Sequence, residues 1–251
     1  MSKILQTKEL SKRFSGLQAL NRVNLQLAKE EIVGLIGPNG SGKTTLINSI
    51  SGVLKPEEGS IILGTTDVTG WNPDSIARLG LARTFQTARV FSSLTVIENL
   101  ELGTMAASAG SVDNKVDELL NRFGLERWAM DRAGTLAYGL QRRLEIARAV
   151  GSNPEFLLLD EPAAGLNEEE SERLLQLIIA LRDPADLGCG VLIVEHDLAM
   201  IMRLCDRVHV LNEGRTLAEG PPEDVRSNPA VVEAYMGKRY ARSGEGAALL
   251  Q

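Results

Sequence analysis

The chain has 251 residues, enough for one large domain or a core with an inserted subdomain. Hydrophobic residues make up 43% and charged residues 24%, the balance of a chain that buries a sizeable core. The net charge of −6 argues against a nucleic-acid binder despite local pairs such as Arg142-Arg143, and no stretch reaches the roughly 20 apolar residues of a membrane span.

The N-terminal segment has no long apolar run after its first Lys, so no signal peptide is expected. Strands are expected at Ile4 to Thr7, at Val23 to Leu27, where apolar residues alternate, and at Glu31 to Ile36. The third runs into Gly37-Pro38-Asn39-Gly40-Ser41-Gly42-Lys43-Thr44, a full match to G-x-x-x-x-G-K-[ST]. Leu46, Ile47 and Ile50 then recur at helical spacing. A strand, a glycine-rich turn and a helix start form a cradle for nucleotide phosphates. Glycines let backbone N–H groups point inward, and the helix adds its positive end. Lys43 is placed for the β- and γ-phosphates, and the Thr44 hydroxyl for Mg²⁺. Asn39, Gly40, Ser41, Gly42 and Thr45 complete the expected nucleotide contacts.

Residues 53–85 carry short strands and turns, among them the turn Pro56-Glu57-Glu58-Gly59 and a strand at Ile61 to Leu63. From 87 to 153 the pattern turns helical, at Val96 to Leu102, Lys115 to Phe123 and Leu140 to Val150. Ala106 to Gly110 reads as a small-residue linker. Asn114-Lys115-Val116-Asp117 matches the guanine-reading N-K-x-D pattern. It opens a helix instead of following a strand, and no D-x-x-G follows Leu159, so GTPase chemistry is set aside.

Phe156 to Leu159 is an apolar strand ending in Asp160-Glu161. Ligands of open α/β sheets bind beyond strand carboxyl ends, so Asp160 is placed to hold Mg²⁺ through water and Glu161 to act as general base on an attacking water. A helix follows at Glu168 to Leu181, with Asn167 as N-cap and Glu170 closing a capping box. Next come a strand at Val191 to Val194 and a helix at Leu198 to Leu204. A closing hairpin, Val208 to Leu211 and Arg215 to Glu219, turns at Asn212-Glu213-Gly214. Cys189 and Cys205 lack metal-ligand spacing and read as core packing in a reducing compartment. The whole implies an α/β fold with a mostly parallel sheet covered on both faces, N-terminal antiparallel strands and a helical insertion. The nucleotide-binding core is assigned to 1–86 and 154–212 and the helical subdomain to 87–153. A C-terminal hairpin, helices and flexible tail take 213–251, the tail starting after Gly237.

Five further features in fixed order resemble those of the ABC (ATP-binding cassette) ATPases, a P-loop family. Phe14 stands where that family keeps an adenine-stacking aromatic, and Thr84-Phe85-Gln86 resembles its glutamine loop. Leu136-Ala137-Tyr138-Gly139-Leu140-Gln141-Arg142-Arg143 resembles the signature segment, Ala164-Gly165-Leu166-Asn167 the D-loop and Glu195-His196-Asp197 the switch histidine. The resemblance implies ATP and Mg²⁺. It implies Gln86 at the metal and attacking water, and His196 at the γ-phosphate. It also implies that Ala137 and Gly139 reach the nucleotide of an opposing subunit. The family signature is Leu-Ser-Gly-Gly-Gln; here Ala137 replaces the serine, Leu140 the glutamine, and the D-loop acid is Asn167.

A narrower likeness, to the ATPases of branched-chain amino acid importers, rests on several segments. These are Ala82 to Gln86, Val90-Phe91, Leu94 to Leu100, Gln141 to Ala149, Pro162 to Asn167, Glu219 to Val225, Asn228-Pro229 and on through Ala234-Tyr235. It implies a heterodimer with a second ATPase, with a homodimer as the alternative. It also implies two polytopic permease subunits, an indirectly engaged substrate-binding protein, and a place on the cytoplasmic face of the plasma membrane. Urea or amide uptake, export of another substrate, and a non-transport ABC ATPase stay open as alternatives. Arg89 and Phe91, just after Gln86, are expected to face the permease.

Overall fold

The computed structural model describes residues 3–105 and 112–236. The expected linker at Ala106 to Gly110 and the tail after Gly237 lie outside them. The chain opens with β1 (Ile4–Phe14) and β2 (Leu17–Ala28), antiparallel partners joined at Ser15-Gly16. Both turn residues have positive φ, 43° and 95°, as a two-residue hairpin with right-handed strand twist requires. These strands run well beyond the alternating stretches seen in sequence. The reason is local: Glu9 and Arg22 take left-handed φ and the register shifts after Thr7, so the period of two is reset along each strand.

Then follow β3 (Ile32–Ile36), α1 (Lys43–Ile50), β4 (Glu58–Leu63), β5 (Thr66–Asp67), α2 (Pro73–Ala77) and β6 (Leu81–Arg83). The helical stretch holds α3 (Val96–Thr104), α4 (Val112–Phe123) and α5 (Tyr138–Gly151). The remainder alternates: β7 (Phe156–Asp160), α6 (Glu168–Leu181), β8 (Gly190–Val194), α7 (Leu198–Leu204), β9 (Arg207–Asn212), β10 (Arg215–Gly220), α8 (Pro222–Ser227) and α9 (Pro229–Met236).

Two sheets result. One is antiparallel, ordered β2-β1-β4-β5; the other is ordered β10-β9-β3-β8-β7-β6, parallel except for the β9–β10 hairpin. Strands β3, β7 and β8 are buried along their full lengths, so successive residues feed opposite cores. Ile32, Ile36, Leu157, Leu159, Val191 and Ile193 face a core shared with α3 to α7. Val33, Leu35, Phe156, Leu158, Leu192 and Val194 face the core built with α1 and the antiparallel sheet. The helical stretch is thus packed into the first of these cores. Close approach is enforced at Gly34, where an added Cβ would lie 2.8 Å from Ile201 Cγ2 and 2.9 Å from Cys205 Sγ of the α7 segment. Both cysteines are buried and free. No helix among the described residues is long and apolar enough to cross a membrane.

Candidate functional site

The carboxyl ends of β3, β7 and β8 open on one edge of the parallel sheet, and a cavity of about 830 Å³ lies there. Its floor is the loop between β3 and α1. Gly42 caps α1 at φ 109°, and an added Cβ would lie 2.6 Å from the Ala19 carbonyl oxygen, so only glycine fits. No acidic residue occupies the first turn of α1, so its positive end is uncompensated. The Ser41 hydroxyl is buried without a hydrogen-bond partner in the protein. Lys43 Nζ donates to the carbonyl oxygens of Gly37 (2.7 Å) and Pro38 (3.1 Å). Burial lowers the Lys43 pKa, and the carboxylates of Glu161 and Asp160 oppose that shift.

Glu161 follows the last residue of β7 at φ 49°, a left-handed conformation rare for a side chain of this size. Its backbone N–H donates to Val194 O (2.9 Å). Its carboxylate is held at both oxygens: Gln86 Nε2 donates to Oε2 (2.8 Å), and His196 Nε2 lies 2.6 Å from Oε1. Gln86, Glu161 and His196 come from the ends of three strands and line the cavity with Asn39, Gly40, Ser41, Gly42, Lys43, Thr44 and Thr45. Phe14, Leu17, Gln18 and Ala19, from the β1–β2 hairpin, line it too. Phe14 is 42% exposed, with Lys12 Nζ 5.4 Å from its ring centroid. The Gln18 amide is engaged at both ends, accepting from Arg13 Nε and donating to Leu20 O, each at 2.6 Å.

Asp160 stands elsewhere than a direct metal ligand would. It does not line the cavity, and its Oδ2 pairs with Arg83 Nη2 at 3.2 Å in a buried setting. Burial raises its pKa, against the pull of Arg83. Ala137 and Gly139 also lie off this cavity. Ala137 is the exposed N-cap of α5 and, lacking a hydroxyl, leaves that helix without a side-chain cap. Gly139 is buried against the Glu170 carboxylate. Asn114 to Asp117, the guanine-like motif, lies on α4, away from the cavity lining. Arg89 and Phe91 are exposed as expected. Asn167 caps α6 through the Glu170 capping box, also as expected.

Sequence reasoning missed four supporting residues. Arg83 pairs with Asp160, and Glu195 accepts from the backbone N–H of Ala163 (2.7 Å) and His196 (3.3 Å). Burial raises the Glu195 pKa, and those two donors oppose it. Arg142 and Glu145 form a buried pair on α5, 2.7 Å apart. The available signal was weak: Arg83 and Glu195 are charged residues at the ends of apolar runs, and Arg142 and Glu145 stand three apart on one helix. Tyr138 also departs from the signature pattern, standing in place of its first glycine, and its ring packs over Gly165.

Comparison with known proteins places the chain in a family. The sequence model of the ABC transporter family matches residues 20–164. A second, described as branched-chain amino acid ATP-binding cassette transporter, matches residues 215–241. The chain is 44% identical over 253 aligned positions to the high-affinity branched-chain amino acid transport ATP-binding protein LivG of Escherichia coli (strain K12), covering 94% of this chain and 98% of that protein. It superposes with a TM-score of 0.83 on the ADP conformation of an ATP-binding cassette of an ABC transporter, at 32% identity, covering 95% of this chain and all of that one. A dimeric cassette bound to ADP and Pi, a post-hydrolysis state, gives a TM-score of 0.77 at 28% identity, covering 87% of this chain and 98% of that one. The chain therefore belongs to the ATP-binding cassette ATPases of ABC transporters.

Proposed function

We propose that this chain hydrolyses Mg²⁺-bound ATP to drive import of branched-chain or other hydrophobic amino acids. The observation that carries the hydrolytic reading is Glu161, aimed from a strained strand end at a cavity floored by the phosphate loop. In this reading the loop N–H groups and Lys43 hold the phosphates, and Phe14 stacks on the base. Glu161 accepts a proton from water, while His196 and Gln86 orient its carboxylate and the incoming water. The donors present suit a magnesium ion: the hydroxyl of Thr44, the amide oxygen of Gln86, and Asp160 through water. Among the described residues no group of three or more His, Cys, Asp or Glu could form an all-protein cage, and Mg²⁺ characteristically relies on water and phosphate oxygens instead. When bound, the ion would neutralise charge on the β- and γ-phosphates.

The cargo assignment rests on likeness to the branched-chain amino acid ATPase and on the C-terminal family match. The exposed start of α5, with Ala137 and Tyr138, supports pairing with a second ATPase across a shared nucleotide. Exposed Arg89 and Phe91 support docking of this chain on a membrane permease, and in this reading two permeases complete the transporter with the chain on the cytoplasmic face of the membrane. We also keep the division into a core (1–86 and 154–212), a helical subdomain (87–153) and a C-terminal region (213–251).

Glu161→Gln tests the hydrolytic reading. Turnover is expected to fall by about 10²-fold or more while ATP still binds; wild-type turnover would remove Glu161 as the base. Affinity capture from native membranes, followed by leucine uptake in a deletion strain, tests the cargo. Recovery of two permeases with a different cargo receptor would discard amino acid import and keep the ATPase.

A further inference from the structure

The Arg142 side chain is fully buried, and all three of its guanidinium nitrogens donate to oxygen. Its Nε donates to Pro162 O (3.0 Å), and its Nη2 donates to Asp160 O (2.8 Å) and Glu161 O (2.6 Å). Its Nη1 donates to Phe85 O and to Glu145 Oε2, the latter at 2.7 Å. The other Glu145 oxygen accepts the backbone N–H groups of Phe85 (3.3 Å) and Arg89 (3.1 Å). One ion pair on α5 thus grips two stretches of main chain: the three consecutive carbonyls of the turn 160–162, and the segment 85–89 leading to exposed Phe91.

We propose that Arg142 and Glu145 are positioning residues, a buried strut that makes the turn carrying Glu161 move with the segment 85–91. The strut as a mechanical link rests on geometry alone; its effect on turnover rests on the hydrolytic role proposed for Glu161. Three arguments support it. A buried ion pair seldom stabilises a fold more than an apolar pair of equal volume, so its stabilising value does not explain it. Gathering four main-chain carbonyls needs a rigid fork of donors, which guanidinium has and ammonium lacks. The turn being gripped holds Glu161 in left-handed φ, a conformation that surrounding contacts must impose. A partner pressing on exposed Phe91 would therefore displace the main chain at Glu161 through two side chains, alongside the direct contact of Gln86 with the Glu161 carboxylate. The same pair lies on the helix whose first turn carries Tyr138 and Gly139, so rotation of α5 would act on both gripped segments together.

The test compares Glu145→Gln and Arg142→Lys with wild type in the full-length chain. Glu145 touches segment 85–89 and Arg142, and none of the 160–162 turn. Amide hydrogen exchange is expected to rise about tenfold in peptides covering 85–91 and, by transmission, in those covering 160–163. The turnover number is expected to fall about 10- to 100-fold, with affinity for a fluorescent ATP analogue unchanged. Loosening at 85–91 with wild-type exchange at 160–163 would overturn the strut, whatever the turnover. If Glu161→Gln turned over normally, the hydrolytic reading would fall, and the exchange pattern would still judge the link. Should either single variant unfold, the apolar pair Arg142→Leu/Glu145→Leu serves. Recovery of both the melting temperature and turnover there would reduce the pair to packing and overturn the proposal; recovery of melting temperature alone would support it.

Discussion

Glu161 combines an unfavourable backbone with a fully engaged carboxylate. Left-handed φ costs a residue bearing Cβ about 1–2 kcal/mol, and glycine nearly nothing. Glu161→Gly is therefore expected to unfold at a higher temperature than Glu161→Ala, by about 1 kcal/mol in calorimetry, although both lack the carboxylate. Burial pushes the Cys189 thiol up to about 12 and raises that of Cys205. Neither forms thiolate near neutrality, so a disulfide reagent should modify them at the rate of unfolding and no faster. Asp160 and Glu195 have raised pKa values, so the folded chain binds their protons more tightly than the unfolded chain does. Their contribution is present below about pH 4 and lost as pH rises through the folded values. Glu195→Gln is accordingly expected to gain stability relative to wild type as pH climbs from about 4 toward neutrality, read from denaturant midpoints. The phosphate loop was legible because its residues are contiguous and its chemistry is carried by glycine and lysine at fixed spacing. Arg83, Arg142 and Glu195 were not, because their partners lie 77, 18 and 32 residues away and several are main-chain atoms without a sequence mark.

Helix boundaries show where local chemistry is decisive. The limits of α6 and α7 coincide with those expected from sequence, since Asn167 and Asp197 each accept a backbone N–H of the first turn (Glu170 at 2.9 Å, Met200 at 3.1 Å) just ahead of a periodic apolar face. Asn167→Ala should cost about 1 kcal/mol in thermal unfolding. In contrast, α2 and β6 are too short to display a period. The five residues of α2 are started by the Asn72 side chain and Pro73, and the three of β6 by pairing to β7, a contact that sequence does not reveal. The β1–β2 hairpin was hidden for another reason, its bulges. Packing between elements is close at Gly34, where Gly34→Val would drive a branched side chain into Ile201 and Cys205. A loss of about 1–3 kcal/mol or more is expected.

At the scale of the molecule, the six-stranded sheet separates two cores, and the site lies at the edge where both end. The alternation of Leu157 and Leu159 against Phe156 and Leu158 was visible as an apolar run, but which residue faced which core was not. Both periods, two along the strand and 3.6 along the covering helices, are needed to assign faces, and the strand alone is apolar on each side. Phe91, half exposed beneath the Arg148 guanidinium at 4.9 Å, projects from the helical side of this arrangement. Phe91→Ala is expected to weaken capture of the permeases while leaving the melting temperature of the isolated chain within about 0.5 kcal/mol of wild type, as surface truncations usually do.

The outer end of the cavity has a consequence for the choice of fuel. Its lining comes from the β1–β2 hairpin, with the ring of Phe14 and the Gln18 amide, and from Glu213 in the turn between β9 and β10. A ring offers a purine a surface to lie against but does not distinguish the edge of adenine from that of guanine. Discrimination of 10⁴ or more requires buried polar groups that the wrong molecule would leave unpaired, and here Gln18 is only half-buried and Glu213 exposed. The hairpin therefore offers a purine a face more than an edge, and GTP is expected to displace a fluorescent ATP analogue at concentrations within about 100-fold of those ATP needs.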